Sequence, residues 1–240
     1  SDGMNWYVYC GDNPISRKDL DGLEYIVVSG GKYSSGDGYY QYEFIETALN
    51  RIWAWKEENP GENITWIIAM AGWTEEDLKE FRAAVSSAGV NVIGINSKDE
   101  LINYVNSKDT ASGSLTMSRL DDPIKKFSLF SHGTTADNGT VSLGFGFSNS
   151  KDLELKVNDI YKMNENAFNN PDSSFASCNT ATAGSESFAQ KWVNRFGGTT
   201  WAYIGQSDYV HINDGNSFDS EWSHVILHTF YWGGSNNLPI

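Results

Sequence analysis

Residues 173–180 read SSFASCNT, from Ser173 to Thr180. Ser174, Phe175, Ala176 and Ser177 are small or β-compatible; the turn-forming run Asn169-Asn170-Pro171-Asp172 precedes them and Asn179 follows. That is the pattern of a short buried strand between turn signals. Cys178 falls where the strand ends, ahead of Ala181, Ala183-Gly184 and a helical spacing. In open α/β sheets the carboxyl ends of the strands face the crevice where ligands bind, so a cysteine there is placed for chemistry. The plainer reading of the same residue is a buried free thiol, because cysteine packs as a small hydrophobe.

A second stretch bears on the choice. Phe127-Ser-Leu-Phe-Ser-His132-Gly133 is another short apolar run, and it ends in His-Gly just before the polar segment Thr134–Thr140. Two neighbouring strands of this kind deliver a thiol and an imidazole to one sheet edge. A thiol needs a nearby base or cation to act as a nucleophile at neutral pH. Gly133 lets the backbone approach a bound carbonyl, where its N–H can serve as an oxyanion donor.

The flanking chain alternates between strand and helix patterns. Tyr25–Ser29 is an apolar strand ending in Gly30-Gly31, and Tyr42–Lys56 has helical spacing. Ile64–Ala71 is a near-continuous apolar strand, as burial on both faces requires. Thr74 and Ser97 each precede acidic residues and open helices, with the strand Val90–Ile95 between them. Beyond His132, Val141–Phe147 alternates like a hairpin strand, and Val157–Met163 suits a short helix. Phe188, Trp192 and Phe196 repeat every four residues, and Thr200–Ile204 adds another strand. The expected fold is α/β, with a mainly parallel sheet flanked by helices on both faces.

The paired motifs SLFSHG and SFASCN resemble those of the caspase-like clan of cysteine peptidases, which includes gingipain, clostripain and legumain. Proteins of that clan carry a hydrophobic strand ending in His-Gly and then a second ending in Ala-Cys; here Ser177 stands in place of the Ala. The resemblance implies a caspase-like sandwich and a cysteine endopeptidase acting on a polypeptide substrate. Cys178 would be the nucleophile, His132 its base, and the Gly133 and Cys178 N–H groups the oxyanion donors. It implies no metal or cofactor. The same dyad also suits acyl transfer or deamidation, and a non-catalytic binding or adhesion module remains the alternative in which Cys178 is merely buried.

Residues 1–23 read differently. A strand pattern over Trp6–Cys10 closes in Gly11-Asp12-Asn13-Pro14, and an acidic loop leads to Asp21-Gly22-Leu23. This segment resembles the end of the core of Rhs and YD-repeat proteins, which read Asn-x-Tyr-x-Tyr-x-x-Asn-Asn-Pro and, four residues on, Asp-Pro-x-Gly-Leu. Leu20 stands where that family has Pro, and Asp12 where it has Asn. The resemblance implies a boundary at Leu23: residues 1–23 as a shell remnant and linker, 24–240 as the effector domain. It makes Asp19 and Asp21 the processing aspartates, with cleavage after Leu23. It further implies a secreted or surface-delivered bacterial effector that acts in a target cell and is neutralised by a cognate immunity protein.

Composition narrows the classes. A chain of 240 residues with 40% hydrophobic and 14% aromatic content suits one large α/β domain with a packed core. No apolar run approaches the ~18–20 residues of a membrane span, and the start Ser1-Asp-Gly-Met-Asn lacks the basic region of a signal peptide. A net charge of −14, with no basic run longer than a pair such as Lys125-Lys126, argues against nucleic-acid binding. Two cysteines, Cys10 and Cys178, are too few for a disulfide framework.

Three further constellations compete. Glu221, His224 and His228 share a face if Ser220–Phe230 is helical, but Val225 stands where a zinc peptidase needs Glu. Gly30-Gly31 and Ser34-Ser35-Gly36 offer a phosphate loop without Gly-x-Gly-x-x-Gly spacing. Asp208 follows the Thr200–Ile204 strand, and beside the crevice it would select Arg or Lys in a substrate; otherwise it is a solvated loop carboxylate.

Overall fold

A computed structural model of the chain describes residues 22–33, 41–207 and 231–232. In chain order the elements are β1 (Glu24–Ser29), α1 (Glu43–Glu58), β2 (Asn63–Ala69), α2 (Glu75–Ala84), β3 (Asn91–Ile95) and α3 (Lys98–Ser107). Then follow α4 (Met117–Asp121), β4 (Ile124–Phe130), β5 (His132–Thr134), β6 (Thr140–Ser142), β7 (Glu154–Leu155) and α5 (Val157–Ile160). The last are β8 (Phe168–Ala176), α6 (Phe188–Phe196), β9 (Thr199–Ala202) and β10 (Tyr231–Trp232). The main sheet has the order β10-β9-β8-β4-β1-β2-β3. All its pairings are parallel except β9–β10. A small antiparallel sheet, β5-β6-β7, leaves the main one just beyond β4.

Two apolar layers cover the sheet. On one face Phe44, Ile45, Ile52 and Trp55 of α1, with Leu78 and Phe81 of α2, pack on Tyr25, Val27, Trp66, Ile68 and Phe130. On the other, Leu101 and Val105 of α3 with Phe188, Trp192 and Phe196 of α6 pack on Ile26, Val28, Phe127, Leu129 and Phe175. The molecule is therefore an α/β sandwich with a mainly parallel sheet and helices on both faces. The helix starts expected at Thr74 and Ser97 are capped: Thr74 with Asp77 in a reciprocal box, and Ser97 accepting from the Glu100 N–H.

Strand boundaries differ from the sequence reading most at two places. β8 begins at Phe168 and runs through Asn169-Asn170-Pro171-Asp172. That stretch is a bulge, since Ile124 faces Phe168 while Lys126 faces Asp172, and Asn170 has φ 43°. A proline is tolerated inside a strand at such a bulge, so it read as a border when it is an irregularity within the strand. The alternating run Val141–Phe147 is a strand only over Thr140–Ser142; from Leu143 it turns, with Gly146 at φ 85°.

The order of the main sheet reverses between β1 and β4. The chain builds outward from β1 through β2 to β3, then returns to start β4 and builds the other way through β8 and β9. The carboxyl ends of β1, β4, β8 and β9 thus define the crevice such a sheet offers a ligand.

The amino edge is held by a buried ion pair. The Glu24 carboxylate accepts from Arg119 Nη1 at 2.6 Å, Thr65 Oγ1 at 2.6 Å and Tyr104 OH at 2.7 Å. Arg119 also donates to the Asp122 and Tyr104 carbonyls. Both charged side chains are almost wholly buried. Such a pair costs most when one partner alone is removed. Arg119→Ala should therefore lower the unfolding free energy by about 3–5 kcal/mol in urea titrations. The double change Glu24→Gln/Arg119→Met, which removes both charges, should cost much less; equal losses would show that the charge pairing is not what matters.

Candidate functional site

The β4–β8 register aligns Phe130 with Ala176. The next residues keep step: Ser131 Oγ and Ser177 Oγ are buried and hydrogen-bonded at 2.9 Å. One residue further lie His132 and Cys178, at the carboxyl ends of adjacent parallel strands. Both belong to the face covered by α1, as the contacts of His132 with Phe44 and the proximity of Cys178 to Tyr203 show. The close backbone approach requires a glycine at 133. A Cβ there would collide with the Cys178 carbonyl oxygen and stand 2.8 Å from the Cys178 nitrogen.

Cys178 is a half-buried free thiol. Its polar contacts come from the loop after β9: the Ser207 N–H donates to Sγ at 3.2 Å, and Ser207 Oγ lies 3.3 Å from Sγ. Tyr203, on the same segment, is buried. Burial raises its phenol pKa, Arg51 of α1 opposes the rise, and the nearby Cys178 adds to it.

His132 stands in an apolar setting. Its ring centroid is 4.5 Å from that of Tyr33, 4.8 Å from Phe145 and 5.1 Å from Phe44. Nε2 is buried without a hydrogen-bond partner among the described residues. Burial lowers the imidazole from 6.5 to about 4, so the ring is neutral at pH 7. No hydrogen bond joins it to the thiol, whose partners are those of Ser207. The two residues are neighbours along the backbone, and their side chains turn to different partners, the thiol to Ser207 and the imidazole to the three rings.

The other candidates named from the sequence fall elsewhere. Leu23 precedes β1 at the amino edge, a strand length of roughly 20 Å from the crevice edge. Asp19, Asp21 and Asp208, and likewise Glu221, His224 and His228, lie outside the described residues. Asp208 directly follows Ser207, which does touch the thiol. Gly30-Gly31 does not cradle a phosphate, because its backbone donors are already committed. The Gly30, Gly31 and Lys32 N–H groups donate to the Phe130, Leu143 and Ala71 carbonyls at 2.7, 2.6 and 2.8 Å. Among the described residues no group of three or more His, Cys, Asp or Glu is arranged to hold a metal. No described helix is long and apolar enough to cross a membrane. A separate open cavity of about 510 Å³ is lined by Asp137, Lys156, Tyr161, Glu186 and Lys191. Both lysines are already paired, with Asp137 and Glu186.

The sequence reading missed Ser207, Tyr33, Phe44 and Phe145. The signal for Ser207 was present, since a strand parallel to the cysteine strand sends its following loop to the same edge. Nothing local marked the three rings. Comparisons with protein-family models, curated proteins and solved structures found no significant match to this chain. Its function is therefore argued from the site.

Two outcomes follow from this geometry. Between pH 4 and 6.5 the unfolded chain binds more protons at His132 than the folded chain, so the stability this residue confers rises with pH. It is complete above about 6.5 and lost as pH falls through about 4. The unfolding free energy of the wild type, minus that of His132→Gln, should grow by about 3 kcal/mol over this range. A difference that does not vary with pH would mean that the imidazole titrates normally. Gly133→Ala must push the Cys178 backbone aside, at a cost of about 1–3 kcal/mol. It should also slow alkylation of Cys178 by iodoacetamide; unchanged melting and labelling would show that the approach is not as close as described.

Proposed function

We propose that the chain is a cysteine endopeptidase with a Cys178–His132 dyad. The observation that supports this reading is the β4–β8 register, since His132 and Cys178 each follow by two residues the aligned pair Phe130 and Ala176 at the carboxyl edge of a parallel sheet. In the proposed reaction the imidazole accepts the thiol proton as sulfur attacks the scissile carbonyl carbon. The Ser207 N–H, already directed at Sγ, favours the negative charge that develops there. The tetrahedral oxyanion is held by backbone N–H groups, for which Gly133 and Cys178 are the candidates. Collapse expels the amine, which takes the proton from the imidazolium and leaves a thioester. Water, activated by the same imidazole, hydrolyses the thioester and restores the thiol.

The biological setting we propose rests on residues 1–23, whose resemblance to the end of an Rhs core supports a delivered bacterial effector with a cognate immunity protein. The distance between Leu23 and the crevice bears on processing. The Glu24 N–H is tied to the Pro123 carbonyl at 3.0 Å and its carboxylate is buried with Arg119. A molecule cannot bring its own Leu23–Glu24 bond to its own Cys178 without dismantling β1.

Expression in a bacterial cytosol tests the assignment. Cys178→Ala should abolish toxicity and lower turnover of a fluorogenic peptide panel by roughly a thousandfold or more. Its melting temperature should stay near wild type, because a half-buried thiol at a strand end contributes little packing. His132→Ala should lose as much, and the double variant no more, since the two act as one unit. Wild-type toxicity in Cys178→Ala would remove the nucleophile assignment.

A further inference from the structure

We propose that Tyr33, Phe44 and Phe145 are positioning residues for His132, forming an aromatic box that fixes the orientation of the imidazole and keeps it uncharged. A catalytic base is usually oriented by a third group that hydrogen-bonds its far nitrogen. No such group meets Nε2 among the described residues. Three rings meet the imidazole instead, each from a different part of the chain. Tyr33 follows β1 and lies tilted at 44° to the imidazole, Phe44 opens α1 and stands edge-on at 89°, and Phe145 follows β6, tilted at 49°. Tyr33 and Phe44 also contact each other, with centroids 5.4 Å apart.

The box stands where the sheet order reverses, so β1 and β4 send their following segments apart and leave a gap that the rings fill. Its walls are tied together. The Gly31 N–H bonds the Leu143 carbonyl, two residues from Phe145, and the Tyr33 N–H bonds the Gln41 carbonyl at the start of α1. Gly30 gives Phe44 room, since a Cβ there would press on Phe44 Cδ2 and Ser131 Cβ, both at 3.1 Å.

The charged and titratable neighbours along these elements are few. Lys32 and Tyr33 follow β1, Glu43 and Glu46 lie in the first turn of α1, and Cys178 follows β8 by two residues. The run Ser142–Ser150 carries no titratable side chain. Lys32 Nζ is turned over Trp73, 5.3 Å from its ring centre. Burial lowers the His132 pKa, and no charge among the described residues contributes. An imidazolium in this box would lose hydration without gaining a counter-charge, which is what holds the ring neutral.

Phe145 is the wall to remove, because it is 48% exposed and truncating it does not open the core. Histidine-labelled protein is titrated by NMR from pH 3.5 to 8, with the His132 resonances assigned by their loss in His132→Gln. The wild-type ring should titrate near pH 4 and show one neutral tautomer in its nitrogen shifts. In Phe145→Ala the midpoint should rise by about one unit or more toward the ordinary histidine value, with both tautomers populated. Phe145→Leu, which keeps an apolar wall, should stay close to wild type. A wild-type midpoint near 6.5 overturns the proposal, and so does a midpoint that Phe145→Ala leaves in place. If Phe145→Ala does not fold, the wild-type midpoint and the Phe145→Leu midpoint decide. The relevance to catalysis rests on the dyad reading, but the titration does not. Toxicity retained in Cys178→Ala would end the peptidase assignment and leave the box standing, whereas a normally titrating His132 would end the box alone.

Discussion

The parallel ladder between β4 and β8 sets Phe130 opposite Ala176 and releases the two chains from the sheet in step. Side chains alternate faces along a strand, so a slip of one residue would send either the imidazole or the thiol to the wrong face of the sheet. Paired hydroxyls hold the ladder in place. Ser128 Oγ and Ser174 Oγ are 2.7 Å apart, and Ser131 Oγ and Ser177 Oγ are 2.9 Å apart. In a register slipped by one residue Ser131 would lie opposite Ala176 or Cys178 and Ser177 opposite Phe130 or His132, so this buried hydroxyl pair would be broken, at a cost of about 1–3 kcal/mol for each hydroxyl left unsatisfied. The serines that make SLFSHG and SFASCN look polar for buried strands are thus what phases them.

The sheet carries its charge and its apolar surface at opposite edges. At the amino edge, Glu24 and Arg119 are held by each other and by Thr65, Tyr104 and the Asp122 carbonyl. At the carboxyl edge, His132 is enclosed by rings and left without a hydrogen bond at Nε2 among the described residues. The first arrangement suits rigidity, because breaking it exposes an unpaired buried charge. The second suits proton transfer, because an imidazole free of a fixed partner can accept a proton and pass it on.

Much of this was legible in the sequence where the governing pattern is local. Near-continuous apolar runs marked β1, β2 and β4, and Thr74 and Ser97 marked the starts of α2 and α3. The same reading put strand ends at His132 and Cys178, two residues beyond where β4 and β8 end. What it could not show depends on partners far apart in the chain. Glu24 looked like a boundary residue, and only Arg119, 95 positions later, makes it a buried anchor. The Asn169–Asp172 run resembled a turn because proline and asparagine favour turns, but pairing with the shorter path of β4 makes it a bulge. Tyr33 sits after β1 and Phe145 in a glycine-rich turn, and neither carries any periodic sign that its ring will meet an imidazole.

The protonation state of His132 constrains the order of events in the proposed reaction. A thiolate–imidazolium pair formed in advance would place a cation inside the aromatic box, where no carboxylate among the described residues contributes to its titration. The box therefore favours a neutral resting pair, with the proton moving as sulfur attacks. At that moment the charge left on the substrate oxygen becomes the counter-charge that the imidazolium lacks. The Ser207 N–H stabilises sulfur as the proton departs, so negative charge is supported first at Sγ and then at the oxyanion. The cation is thus tolerated only while the tetrahedral intermediate exists, and its proton is driven on to the leaving amine. An uncharged, tightly packed base and a backbone-supported thiol are, on this reasoning, two halves of one device.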